Sequence, residues 1–143
     1  MKKGIVLALF IGLIVANTSC SKDKQMMVIN DFARTYFPDA EVLSTIKDGL
    51  DYDVTLSDYT QIGFDGTLFG KFEWEEVDCK HASIYTAVPD ALVPTEIRDY
   101  VNRIHGTQTI VKISKDSRGW EIELDNGLEI EFDNRFNVVD FDD

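Results

Sequence analysis

The chain is poor in the side chains that perform covalent and metal chemistry. It holds two cysteines and two histidines. It has no glycine-rich phosphate loop, no His-Glu-x-x-His and no serine framed as a nucleophile elbow. His81 follows Cys79 by two residues, so one strand face could carry both. A structural zinc usually takes four ligands, and this pair supplies two. His105 falls at the end of a predicted helix, where a cation complements the helix dipole. Asp51, Asp53, Asp65 and Asp133 lie in or near predicted turns, and none follows the calcium-loop spacing. No catalytic residue, metal ligand or cofactor is expected. Basic side chains are also scarce, with 14 Lys and Arg against 26 Asp and Glu. That balance excludes nucleic acid as a partner and disfavours adhesion to anionic lipid through the protein surface.

The N-terminus has its own pattern. Lys2 and Lys3 precede an apolar run from Ile5 to Ala16, broken only by Gly12. The run is too short for an ordinary membrane span and fits a signal peptide. Asn17-Thr18-Ser19 leads into Cys20, which resembles a bacterial lipobox. On that reading residues 1–20 are a lipoprotein-type signal, Cys20 is lipidated, and the protein is an exported periplasmic or outer-membrane lipoprotein. The alternative is an ordinary signal peptide that leaves Cys20 free. Without Lys2 and Lys3 the charge is about −14. Cys79 then has no intramolecular partner and reads as a buried thiol.

The rest of the chain repeats itself at an offset of 68 residues. Ile29, Asp31 and Phe32 become Ile97, Asp99 and Tyr100. Tyr52, Val54 and Leu56 become Trp120, Ile122 and Leu124, and Ile62, Phe64 and Asp65 become Ile130, Phe132 and Asp133. The apolar stripe Met26, Ile29, Phe32, Ala33, Tyr36, Phe37 has helical spacing and stops at Pro38. A second stripe, Ile97, Tyr100, Val101, Ile104, follows Pro94. Alternation predicts strands over 41–47, 51–56, 60–64 and 68–77, and again over 109–114, 120–124, 128–132 and 136–141. Asp65-Gly66 reads as the clearest hairpin turn of the first half. The expected fold is α+β, a tandem duplication of a helix plus a four-stranded antiparallel meander, with the helices on one face of the sheet. The repeats span 21–77 and 94–143, and 78–93 forms a packed connector through Ile84, Tyr85, Val88, Leu92 and Val93.

The Asp125-Asn126-Gly127 loop fixes a register. A three-residue loop sets Leu124, Ile122 and Trp120 opposite Leu128, Ile130 and Phe132, whereas a two-residue loop would turn one strand's apolar side chains to the wrong face. The same register sets Glu123 opposite Glu129 and Glu121 opposite Glu131. Their first-half equivalents are Asp53, Thr55, Gln61 and Gly63, so the fold does not force the carboxylates. Phe69, Val139 and Phe141 are expected on this open side too, if no bulge intervenes. Such a face suits a basic partner or a cation; it also suits an acidic protein that keeps one sheet face solvated.

These motifs in order resemble a known family. Phe37-Pro38-Asp39-Ala40, Tyr52-Asp53-Val54 and Ile62-Gly63-Phe64-Asp65-Gly66 recur as Leu92-Val93-Pro94, Trp120 to Gly127 and Ile130-Glu131-Phe132-Asp133. They are similar to the PepSY-like, β-lactamase-inhibitor-like exported proteins of Bacteroides-type bacteria, across residues 26–143. The resemblance implies helices on one side of a sheet and no established activity. The reading is a non-enzymatic envelope binding protein. Its partner would be a protein or peptide with a basic surface, met by Glu121, Glu123, Glu129, Glu131, Phe69, Val139 and Phe141. Its membrane attachment would be the lipid anchor alone. The alternative is an inhibitor of a peptidase or β-lactamase-like enzyme.

Overall fold

The computed structural model describes residues 22–142. Helix α1 covers 22–36 and ends where Pro38 forbids continuation, with the Phe37 amide donating to the Ala33 carbonyl. Strands β1 (Val42–Asp48), β2 (Asp51–Leu56), β3 (Gln61–Gly66) and β4 (Phe72–Asp78) follow. A small hairpin, β5 (Lys80–His81) and β6 (Ile84–Tyr85), and a 3-10 turn (Asp90–Leu92) lead to α2 (Thr95–Ile104). Then come β7 (Ile110–Lys115), β8 (Gly119–Leu124), β9 (Glu129–Asp133) and β10 (Val138–Asp142). Among the described residues the fold is α+β: two α-helices and one eight-stranded antiparallel sheet in the order β1-β2-β3-β4-β7-β8-β9-β10.

Side chains directly opposite each other across paired strands share a face. Thr45, Val54, Ile62, Val77, Ile113, Ile122, Ile130 and Phe141 form one such row across the whole sheet. From Val54 to Ile130 the row is buried. The helices cover it. Phe32 of α1 meets Phe64 edge-on at 5.4 Å and Trp74 at 6.1 Å, while Tyr100 of α2 meets Phe132 edge-on at 5.5 Å. Ile29, Ala33, Ile97 and Val101 complete the helix stripes, and the core runs from Ile29 to Phe132. Burial of each large apolar side chain stabilises by roughly 1.5–3 kcal/mol, which outweighs the weak propensity of short helices.

The β8–β9 register is the one the loop chemistry requires. Trp120 lies opposite Phe132, Ile122 opposite Ile130, Glu121 opposite Glu131 and Glu123 opposite Glu129. Gly127 has φ +90°, and its amide donates to the Leu124 carbonyl at 2.9 Å.

Two details differ from the expectation. Asp65 and Gly66 are not the β3–β4 turn: they pair with Glu73 and Phe72, and the turn spans Thr67–Lys71. Glycine is needed at 66 for close approach, since a Cβ there would lie 2.3 Å from the Leu50 carbonyl oxygen. In the connector, Val88, Leu92 and Val93 are buried, but Ile84 and Tyr85 stand exposed on the β5–β6 hairpin. Two-residue strands hold that hairpin above the surface, out of reach of the core.

Candidate binding face

The face away from the helices carries two rows. One is Ile46, Asp53, Gly63, Glu76, Ser114, Glu121, Glu131 and Asp140. The next, toward the β8–β9 turn, is Ser44, Thr55, Gln61, Asp78, Lys112, Glu123, Glu129 and Asp142. Acids dominate both. The sheet curls around this face, and a concavity of about 870 Å³ is lined from Ile46 on β1 to Val139 on β10. Glu121, Glu131, Glu75, Glu76 and Asp53 share it.

The carboxylates are not equivalent. Burial raises the pKa of Glu121, and Glu129 and Glu131 add to this against the pull of Lys112. Glu75 is raised in the same way, first by burial and then by Asp65 and Asp51. Lys112 stands opposite Glu123, but its ammonium lies 3.2 Å from Glu76. Burial opposes the charge on Lys112; Glu76, Asp78 and Glu121 outweigh it and raise its pKa. Glu123 is half-buried and takes the Lys80 ammonium, which reaches across from β5.

Of the residues expected on this face, Glu121, Glu131 and Val139 line the concavity, while Glu123 and Glu129 sit in the neighbouring row outside it. Phe141 does not face this side. Val139 is an extra residue in β10, so the parity flips and Phe141 lies opposite Ile130 on the helix side, at the sheet's outer edge. Phe69 is not on the sheet at all: it stands at the tip of the β3–β4 turn, because that turn falls later than Asp65-Gly66. Cys20 lies outside the described residues. The first-half contributors Glu75 and Glu76 had no sequence signal, because a bulge at Glu75 decides which acid faces where.

Cys79 and His81 part company. The thiol is buried beside Thr60 and Thr86, and burial pushes its pKa up to about 11. His81 lies on the surface, stacked on Tyr59 at 4.1 Å. His105 caps α2, donating its amide to Val101, and its ring packs against Tyr100. Among the described residues no group of three or more His, Cys, Asp or Glu converges as a metal would require.

The "Putative beta-lactamase-inhibitor-like, PepSY-like" family matches residues 50–140, which span β2 to β10 with the acidic face between them. The chain belongs to this PepSY-like family. Solved structures agree. A "putative calcium-regulated periplasmic protein" of Bacteroides thetaiotaomicron is 34% identical, with a TM-score of 0.67 over 79% of this chain and 86% of that one. A "putative periplasmic protein" of Bacteroides vulgatus is 38% identical, with a TM-score of 0.66 over 79% and 86%. A second from the same organism, "of unknown function", is 30% identical, with a TM-score of 0.67 over 79% and 87%. No curated protein matches the sequence. The periplasmic descriptions of these PepSY-like relatives support export of this chain.

Proposed function

We propose that this PepSY-like chain is a non-enzymatic binding protein of the cell envelope, held to a membrane by a lipid on Cys20. Its concave acidic face takes a protein or peptide with a basic surface. The observation that carries the reading is Glu121 opposite Glu131 inside the concavity. Directly opposed like charges weaken a sheet, so a fold left to itself has no reason to keep them. A basic partner relieves that repulsion on binding.

The reading includes an internal duplication. Support comes from the registers: extra residues at Leu43 and Val111, and at Glu75 and Val139, interrupt the two meanders at matching places. The packing was kept and the open face diverged, as expected when one face is under separate selection. The calcium regulation in one relative's description is not part of this reading, because the described acids do not converge as ligands.

The test is capture from a native envelope extract. The bait is the wild-type chain, and the control carries Glu121→Lys, Glu129→Lys and Glu131→Lys with Glu123 left to its Lys80 contact. A partner retained at least about tenfold better by the wild type supports the face. Equal capture by both baits overturns it. Stoichiometric loss of an envelope peptidase's activity would assign the inhibitor reading instead.

A further inference from the structure

A second cavity lies on the helix side of the sheet, away from the acidic face. It holds about 200 Å³ between α2, the connector and the start of β7. Val88, Val93 and Val101, all buried, form its apolar floor. Arg98 and Asn102 stand one turn apart on α2 and so share a side of the helix; both line the cavity, with Gln108 of the loop that follows. Backbone hydrogen bonds fix the walls. The Val88 amide donates to the Ile110 carbonyl at 2.9 Å, the Val93 amide to the Asp90 carbonyl at 3.2 Å, and the Asp125 amide to the Thr109 carbonyl at 2.9 Å. A few polar groups over an apolar floor are the make-up of a small-molecule site. The volume is below the roughly 300–1,000 Å³ that drug-sized ligands take, so it suits a smaller one.

Arg98 is the group without a partner. Among the described residues four cations are half-buried: Lys80, Arg98, Lys112 and Lys115. The three lysines each reach a carboxylate, on Glu123, Glu76 and Glu73 respectively. The Arg98 guanidinium meets neutral oxygens instead, the Asp90 carbonyl at 3.5 Å and the Thr95 hydroxyl at 3.3 Å. Both contacts are long for a charged donor. Acids outnumber bases 26 to 14 in this chain, and yet a partly desolvated guanidinium, which is costly to leave unpaired, has no acid beside it. The position 68 residues earlier is Asn30, so the repeated pattern does not require a cation there. We infer that this cavity binds an aliphatic carboxylate, its carboxylate on Arg98 and its short side chain on the valines. The source is the end of a peptide chain or a free amino acid. A guanidinium offers two parallel donors to a carboxylate, and the Asn102 and Gln108 carboxamides add neutral donors at the rim. Asp90 also lines the cavity, and it attracts an ammonium, which separates the two sources. The inference does not depend on the acidic face.

Binding is read from the side-chain amide signals of Asn102 and Gln108 in the NMR spectrum of the isotope-labelled chain. N-acetylvaline is expected to shift both, saturably, with a Kd of about 1 mM. N-acetylvalinamide has the same side chain and no carboxylate, and should bind at least about tenfold more weakly. Arg98→Gln should lose at least about tenfold in affinity for N-acetylvaline while the rest of the spectrum stays in place. Arg98→Lys should restore only part of the loss, because a point charge cannot match the planar fork. No saturable shift at about 20 mM N-acetylvaline overturns the inference. Equal binding of the acid and the amide also overturns it, and that comparison uses the unsubstituted chain, whatever the variants do to folding. Affinity unchanged by Arg98→Gln overturns it as well. Free valine then separates the sources. Tighter binding than N-acetylvaline places an ammonium beside Asp90 and assigns a free amino acid; equal or weaker binding assigns a chain terminus.

Discussion

Glu121 and Glu123 lie two residues apart on one strand face, and their surroundings are opposite: Glu121 faces Glu131 in a partly dry row, while Glu123 takes the ammonium of Lys80.

Glu121→Gln should therefore stabilise the protein at neutral pH. A carboxyl whose pKa is raised by folding opposes folding when charged. The penalty is present above its folded pKa and fades as pH falls through that value. The expected gain is a few tenths to about 1 kcal/mol, or roughly 1–5 °C in Tm. It should shrink as pH drops through the carboxylate range. Glu123→Gln should instead cost about 1 kcal/mol, because it leaves half-buried Lys80 without its partner. Thermal unfolding of both variants between pH 4 and about 8 checks the pair.

Gly66→Ala should destabilise by about 2–3 kcal/mol, although the position is half-exposed. The added methyl would meet the Leu50 carbonyl oxygen at 2.3 Å, and because that atom belongs to the backbone of the β1–β2 turn, main chain has to shift to admit it. Chemical denaturation of this variant should show a lower midpoint with an unchanged slope.

Cys79 should be inert in the folded chain. Its thiol is buried and holds its proton up to about pH 11, so little thiolate exists to react. Iodoacetamide at pH 8 should label it only at the rate of unfolding, and denaturant should expose it fully. Fast labelling of the native chain would contradict the buried assignment.

Phe32→Ala should cost about 3–5 kcal/mol. The ring touches Phe64, Trp74, Tyr36 and Phe37, and both sheet and helix lose their contact with it. The matching change at half-buried Tyr100, which meets the sheet through Phe132, should cost less. Equilibrium unfolding of the two variants gives the comparison.

The sequence was legible where period and turn chemistry agreed. Trp120, Ile122 and Leu124 alternate into Asp125-Asn126-Gly127, and only one loop length keeps the apolar side chains of both strands on one face. It was illegible where one extra residue changed parity. Nothing in Val138-Val139-Asp140-Phe141 marks Val139 as the bulge, so Phe141 was read onto the wrong face. Asp65-Gly66 has turn chemistry, but its glycine serves the Leu50 backbone instead. The Lys80–Glu123 contact joins residues 43 apart through a hairpin whose placement depends on the finished fold.

Val77 on β4 and Ile113 on β7 are both fully buried where the two meanders join. Along the chain these strands are linked by the connector, with its exposed β5–β6 hairpin, and then by α2. The join therefore has the character of a subunit interface that happens to lie within one polypeptide. A protease that cuts at the hairpin should leave two fragments still bound as a heterodimer, and the same two fragments, made separately, should fold by finding each other.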